Sequence, residues 1–567
     1  MAHKIYGNVA GLGAGQEKLL ERLYQRRIDP NSLSTQQFNR ELCELSHLTG
    51  KKLGVLANRK GGIEYVILGE GQLVFMPDLK LGPIRPGRFR GLRFIQTFLR
   101  GEPIIQENLA DLALLRLDLV LRVEVTEQGY PGLSHLVHLK PANLQGEAYQ
   151  YFEPFPPGQL ELDFSELIKS LEDGFERERR KGKAGPQEGV ILVKVVLSRK
   201  KGARVDRLVT ESEMAELKAL AESAGVAVLD RVIQQRERYH SHYLIGRGKL
   251  EEITVRAMQL GADTLVFDHE LSPAQVSAIE DYTGLKVVDR SQLILDIFAQ
   301  RAQSREGKIQ VELAQYRYML PRLVGKGTEM SRIVGGVGTR RGPGETKLET
   351  DRRRIKDRIS HLEREFEQVR RGRGQRRTLR QRNRVPIVSI VGYTNTGKST
   401  LLNALTNSNV RAENRLFATL DPSSRRIRFP RERELIITDT VGFIRNLPQE
   451  LFQTFRATLE ELADADLLLH IADAASPELP EQIQTVEKIL AELDLSQKPA
   501  ILVLNKSDLL DETGRAPLKK MFADSVLISA LDRGTFMPLL MTIEEKLWSS
   551  RTEEQESWQA LGYSGRA

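Results

Sequence analysis

The sequence predicts an α/β multidomain protein, on three observations. Its 567 residues are too many for one core at ~100–200 residues per domain. From Val190 onward, short β-branched runs alternate with helical stretches, the pattern of a parallel sheet with crossover helices. Between 305 and 384, two apolar seams repeat in steps of four and three, so each helix needs a partner.

Composition narrows the class. With 40% hydrophobic and 28% charged residues, the chain can bury large cores, which excludes a disordered, collagenous or disulfide-scaffold protein. The single cysteine, Cys43, cannot form an intramolecular disulfide and reads as a core thiol in a helix. No run approaches the ~18–20 apolar residues of a membrane span, and Met1–Gly15 lacks the apolar stretch of a signal peptide. A cytoplasmic protein without a membrane span is expected. The net charge of +8 is concentrated: residues 351–385 hold 14 Lys/Arg against 5 Asp/Glu, a local excess of +9. Such a surface attracts phosphate backbones in a salt-dependent way.

In chain order, residues 1–181 form an N-terminal extension of unassigned role. Within it, Gln16–Arg27 has helical periodicity, and Glu64–Leu68 with Gln72–Met76 reads as two strands about a glycine turn. His135 and His138 would share a helix face, but no third ligand follows, so no metal is assigned. Residues 174–189 carry many charges, glycines and Pro186 without apolar periodicity; they read as a linker, with 182–189 as the domain boundary. In the α/β domain, 190–304, Val190–Leu197, Ala227–Val232, Thr264–Phe267 and Lys286–Val288 are the expected strands. Glu211–Ala224, Lys249–Leu260 and Ser272–Thr283 are the helices between them. Gly246-Arg247-Gly248-Lys249 reads first as a strand-to-helix turn and second as a phosphate site.

Residues 305–384 predict an antiparallel helical hairpin. One seam is Ile309, Leu313, Tyr316, Leu320 and Leu323; the other is Ile355, Ile359, Leu362, Phe366 and Val369. Gly325–Thr346, with seven glycines and Pro343, is expected to continue neither helix and to form a long tip loop. Arg332, Arg340 and Arg341 in that loop are candidate RNA contacts, since arginine pairs with phosphates.

The remaining domain, 385–548, carries the chemistry; 549–567 reads as a flexible tail. The strand Val385–Val391 runs into Gly392-Tyr393-Thr394-Asn395-Thr396-Gly397-Lys398-Ser399-Thr400 and then the helical Leu401–Thr406. This is a phosphate-binding P-loop in its required strand–loop–helix context. Its amides wrap the β-phosphate, Lys398 neutralises β/γ oxygens, and the Ser399 hydroxyl ligates Mg²⁺. A second strand ends in Asp439-Thr440-Val441-Gly442, placing a carboxylate on the Mg²⁺ shell and an amide at the γ-phosphate. A third ends in Asn505-Lys506-Ser507-Asp508, where Asp508 can accept two hydrogen bonds from guanine. Ser529-Ala530-Leu531 offers an amide to guanine O6. Together these make GTP the expected substrate and a P-loop GTPase domain with a parallel sheet the expected fold. Arg415-Leu416-Phe417-Ala418-Thr419-Leu420-Asp421 reads as the segment ordered by GTP, with Thr419 on Mg²⁺ and the γ-phosphate. Lys398, Thr419 and Gly442 are the expected catalytic groups. Phe443 follows Gly442 where many small GTPases have a water-orienting glutamine, so intrinsic hydrolysis should be slow. Asn395, three residues after Gly392, is the position from which K⁺ stimulation is expected.

These motifs resemble those of the HflX family of translation-associated GTPases, over about residues 190–548. The resemblance rests on the run Gly335 to Arg353, Phe417-Ala418-Thr419-Leu420-Asp421-Pro422, Asp439–Phe443 and Ile245-Gly246-Arg247-Gly248-Lys249. The paired Arg340-Arg341 and Ser423-Ser424 depart from the usual pattern. The resemblance implies binding to the large ribosomal subunit and its RNA through the hairpin tip, and GTP-dependent dissociation or rescue of stalled or idle ribosomes under stress. A monomer with no DNA partner is expected. The alternatives are a ribosome-assembly or RNA-modification GTPase, or a signalling GTPase without RNA.

Overall fold

The computed structural model describes residues 4–560 apart from 70–73, 75, 77–87, 100–103, 144–146, 157–158, 160–161, 183–188, 199–206, 335–342, 383–384, 407–422, 429–433, 441, 446–451 and 453–458. Two compact units divide the chain, residues 1–218 with 225–289, and 219–224 with 290–567.

The first unit begins β1 (Ile5–Gly7), α1 (Ala14–Arg22), α2 (Gln36–Thr49), β2 (Leu53–Asn58), β3 (Ile63–Leu68), β4 (Leu92–Phe98), α3 (Gln106–Leu114), β5 (Leu119–Val125), β6 (Pro131–Leu139), β7 (Tyr149–Tyr151) and α4 (Phe164–Gly182). Its seven strands form one mixed sheet in the order β1-β3-β2-β4-β5-β6-β7. Local chemistry sets the element ends. Thr35 accepts the Phe38 N–H to cap α2, and Gly50, at φ +63°, closes it; a left-handed residue there suits glycine. Cys43 is buried in α2, and burial pushes its thiol up to about 12.

Sequence reading erred here in three ways. Residues 174–182 are the C-terminal half of α4, not a linker. Phe175 is fully buried edge-on to Phe89, and one turn earlier Glu172 accepts from Arg59 at 2.8 Å. The helix has few apolar residues, but these few are buried. β3 pairs with β2 and β1, not with Gln72–Met76, and most of 72–76 lies outside the described residues. His135 and His138 stand on a strand, β6, where residues three apart face opposite sides.

The first unit continues β8 (Gly189–Leu197), α5 (Arg207–Ser223), β9 (Ala227–Arg236), α6 (Arg247–Leu260), β10 (Thr264–Phe267), α7 (Pro273–Thr283) and β11 (Lys286–Asp289). These strands form a wholly parallel sheet, β11-β10-β8-β9. Central β8 is buried from Val190 to Val195, as a strand covered on both faces must be. Its buried Lys194 pairs with Asp268 and, at 3.0 Å, with Glu213. Ser272 and Gln275 form a capping box on α7, with Pro273 at its first position. Gly246 is the N-cap of α6. Val255 and Met258 of α6 are buried in the core of the seven-stranded sheet. Gln259 Nε2 donates to the carbonyls of Lys140 and Glu147, each at 3.1 Å. The extension is thus packed onto the parallel-sheet layer.

The second unit comprises α8 (Arg290–Arg301), α9 (Arg305–Val334), α10 (Pro343–Arg382), β12 (Ile387–Gly392), α11 (Lys398–Thr406), β13 (Ser423–Arg428), β14 (Glu434–Asp439), β15 (Leu467–Asp473), α12 (Leu479–Glu492), β16 (Ala500–Asn505), α13 (Glu512–Met521), β17 (Val526–Leu527) and α14 (Met537–Ala560). Helices α9 and α10 form the hairpin. Ile309, Leu313 and Leu362 are its buried centre, with Tyr316, Ile359, Phe366 and Val369 against them. Arg305–Glu365 at 2.6 Å and Arg358–Glu312 at 2.8 Å lie across it. The glycine-rich segment does continue both helices: α9 runs through Gly325 and Gly327 to Val334, and α10 starts at Pro343. An isolated helical glycine costs only ~1 kcal/mol, whereas proline favours a helix's first position. Helix α14 likewise continues to Ala560, through most of the expected tail; its residues 549–560 include neither glycine nor proline. The six strands run β13-β14-β12-β15-β16-β17, all parallel except β13. Among the described residues no helix is long and apolar enough to cross a membrane.

Asp111 of α3 is raised to about 7 by burial and then by Glu107 and Glu251, the latter on α6. A carboxyl whose folded pKa exceeds its unfolded value gives stability that is full below the unfolded pKa and lost as pH rises through the folded one. The wild-type melting temperature should therefore fall as pH rises between about 4 and 7. Asp111→Asn should flatten that part of the profile, and calorimetric melts across the interval check it; identical slopes would refute the assignment.

Candidate nucleotide site

The central strand β12 delivers the P-loop. It ends at Gly392, φ +153°, where a Cβ would lie 2.2 Å from the Ile471 carbonyl oxygen of the neighbouring β15, so only glycine fits. At Gly397, φ +89°, a Cβ would sit 2.3 Å from Asn505 Nδ2. Between them the loop turns through Tyr393, Thr394, Asn395 and Thr396, with exposed Asn395 left-handed at φ +61°.

Lys398 opens α11 and turns back over this loop. Its Nζ donates to the carbonyls of Tyr393 at 2.6 Å and Gly392 at 3.1 Å. Burial lowers its pKa to about 8, against the opposing pull of Asp439. His470 on β15 is held near 4 by burial and then by Lys398, so it adds no second positive charge at neutral pH. Parallel pairing sets Asp439 beside Ile390, and the Ser399 hydroxyl donates to its Oδ2 at 2.6 Å. Thr440 donates to the Ile390 carbonyl at 2.6 Å. Gly442 lies so close to the loop that a Cβ would be 2.9 Å from Lys398 Nζ.

Phe443 bridges to the loop through its backbone. Its N–H donates to Gly392 O at 3.1 Å, and its carbonyl accepts from Thr394 N–H at 2.8 Å. The ring is buried in a core with Leu459, Leu462 and Val486. It is shielded from solvent.

At the end of β16, Asn505 Nδ2 donates to Thr396 O and its Oδ1 accepts from Ala530 N–H, both at 2.8 Å. Lys506, left-handed at φ +63°, pairs with Asp473 at 2.6 Å. Buried Ser507 donates its N–H to Ile528 O at 3.1 Å. The exposed Asp508 carboxylate accepts from Ser529 Oγ at 2.6 Å. Ser529 N–H is held by Thr535 Oγ1 at 3.0 Å, and Leu531 is exposed.

Four chain segments spread between residues 392 and 531 thus share one end of the sheet: the P-loop from Gly392 to Thr400, Asp439 to Gly442, Asn505 to Asp508, and Ser529 to Leu531. Val441, Phe417, Ala418, Thr419, Leu420, Asp421, Arg340 and Arg341 lie outside the described residues. Arg332 lies in the backbone of α9. Motif reading did not foresee Thr535, which lies outside the motif that it holds, nor Asp473 and the Asn505 bridge, whose partners are distant in sequence.

The sheet order, P-loop and the carboxylate at Asp439 define a P-loop nucleotide hydrolase, and Asn505–Asp508 marks the guanine-specific class, the GTPases. Three regions match known families: residues 211–299 the GTP-binding GTPase N-terminal family, 301–380 the GTP-binding GTPase middle region, and 387–506 the 50S ribosome-binding GTPase family. The GTPase HflX of Caldanaerobacter subterraneus subsp. tengcongensis is 48% identical over 338 residues, 60% of this chain and 78% of that protein. The GTPase HflX of Escherichia coli is 47% identical over 300 residues, 53% and 70% respectively. A solved GTP-binding protein from Sulfolobus solfataricus in complex with GDP is 27% identical and covers 65% of this chain and 99% of its own, at a TM-score of 0.34. The chain belongs to the HflX family of GTPases and is a GTP hydrolase.

Asn505→Ala leaves the Thr396 carbonyl and the Ala530 amide without their partner. Each lost hydrogen bond costs ~1 kcal/mol and the stranded groups more. GDP and GTP affinity should fall about tenfold to a hundredfold, and the melting temperature of the ligand-free protein should also fall by a few degrees. Titration with a fluorescent guanine nucleotide checks this; wild-type affinity would refute the bridge's role.

Proposed function

We propose that the chain is a GTP-driven switch on the large ribosomal subunit that dissociates or rescues stalled or idle ribosomes under stress. The observation that carries the nucleotide half is the convergence of Lys398, Ser399 and Asp439 at one strand edge, with Asn505 tying that edge to Ala530. Two supports carry the ribosomal half: the 50S ribosome-binding description of the matched family, and a hairpin whose second helix bears most of the basic 351–385 segment.

In this reading Gly392 to Thr400 cradle the phosphates, and Lys398 neutralises charge that builds on the β/γ oxygens. Asn505 to Asp508 and Ser529 to Leu531 read the base. Ser399 and Asp439 form an all-oxygen donor set of the hard kind Mg²⁺ prefers, with Thr419 as a third donor. When bound, Mg²⁺ supplies positive charge to the β- and γ-phosphate oxygens. The Gly442 amide meets the γ-phosphate. Phe443 leaves water orientation to docking or to an added cation.

Two outcomes test this reading. With a non-hydrolysable GTP analogue, the protein should co-sediment with large ribosomal subunits. Replacing Arg332, Arg340 and Arg341 together by alanine should weaken that association and flatten its salt dependence, because fewer counterions are released. Hydrolysis without ribosomes should stay near wild type. Binding only to immature particles would favour an assembly role, and no binding a signalling role. K⁺ is proposed to act beside Asn395, as an arginine finger does elsewhere. Turnover should then be faster in K⁺ than in Na⁺ at matched ionic strength; equal rates would remove K⁺ from the mechanism.

A further inference from the structure

Arg445, three residues beyond Gly442, is tethered three ways. Its backbone N–H donates to Tyr393 Oη at 2.9 Å. Its carbonyl accepts from the Arg290 guanidinium at 3.1 Å. Its side chain pairs with Glu478 at 2.8 Å, both partners mostly shielded from solvent. Tyr393 and Arg290 are each 5% exposed, so these contacts compete weakly with water. All four residues belong to the second unit. A loop residue whose N–H, C=O and side chain are all held by other side chains has little freedom left.

Tyr393 belongs to the P-loop, and its carbonyl also accepts from Lys398 Nζ. Glu478 precedes α12. Arg290 belongs to neither of those layers. It is the first residue of α8, which leads through Ala302 to Ser304 directly into α9, the first helix of the hairpin. The turn from Gly442 to Arg445 is therefore fastened at one end to the phosphate loop and at the other to the first residue of α8, the helix that leads into the hairpin.

We propose that Arg290 is a positioning residue for GTP hydrolysis, holding the Gly442–Arg445 turn in register and coupling it to the hairpin. The contact acts through the backbone: it orients the Gly442 amide and touches no nucleotide. A misplacement of ~1 Å in such a group can cost up to a hundredfold in rate, which sets the scale expected. The coupling to the hairpin rests on the ribosomal reading above; the positioning role does not.

The test uses the full chain. Arg290→Ala should lower kcat for ribosome-free GTP hydrolysis about tenfold to a hundredfold, with KM for GTP and affinity for GDP within about twofold of wild type. Amide exchange in the peptide holding Gly442 to Arg445 should accelerate while that of β12 and β16 stays slow. Glu478→Gln should give a smaller loss, and the double variant should be no worse than Arg290→Ala alone, because both act on Arg445. An unchanged kcat, additive losses, or a fall in GDP affinity parallel to kcat would overturn the positioning role. If Arg290→Ala does not fold, Glu478→Gln with the same exchange readout decides: unaltered exchange at Arg445 overturns the proposal. For the coupling, wild-type turnover stimulated by large subunits should lose most of its stimulation in Arg290→Ala; full stimulation in the variant would overturn it. Wild-type protein that is not stimulated at all would instead refute the ribosomal reading and leave the ribosome-free result standing.

Discussion

One buried side-chain amide holds the nucleotide site together. Asn505 donates to the P-loop at Thr396 and accepts from Ala530, so the P-loop and the Ser529–Leu531 turn are fastened to each other. The constraint reaches back into the sequence. Gly397 must be glycine because a Cβ would strike that amide, and Asn505 must end β16 because parallel pairing puts Asp473 opposite it. Lys506 can then be left-handed and close on Asp473. Strand register, glycine placement and polar partnering thus serve one geometry, an instance of agreement between levels that a unique fold requires.

Much of this edge was legible because its chemistry demands particular residues at contiguous positions. The strand–P-loop–helix, Asp439–Gly442 and Asn505–Asp508 each carry a local signature, and the alternation from Val190 onward announced the parallel sheet. What was not legible depended on distance or on small energies. Asn505 and Thr396 are 109 positions apart, and nothing near either names the other. The seven-stranded sheet mixes parallel and antiparallel pairs, so its order cannot be had from adjacent runs. The C-terminal half of helix α4 was misread because charge dominates its composition and Phe175 is its single buried apolar residue, continuing the face of Phe164, Ile168 and Leu171. The hairpin helices were cut short because glycines were counted together, whereas each acts singly and only clustered breakers end a helix.

The N-terminal extension also changes what α6 is. Val255, Met258 and Gln259 face the extension, so the helix serves two layers at once, the parallel sheet beneath it and the mixed sheet above. A helix clamped from both sides is harder to shift than one with a solvent face, and the carboxylates of Asp111 and Glu251 sit within that clamp. Cores shared between layers melt together more readily than cores joined by a tether.

The length of α9 has a mechanical consequence. The part of α9 before its internal Pro321, residues 305–320, makes at 1.5 Å per residue a segment of about 24 Å. A tilt of one degree at its foot would carry the end of that segment by roughly 0.4 Å, on the same helical rise. The reverse also holds: a force applied at the far end arrives at the foot as torque with a long arm.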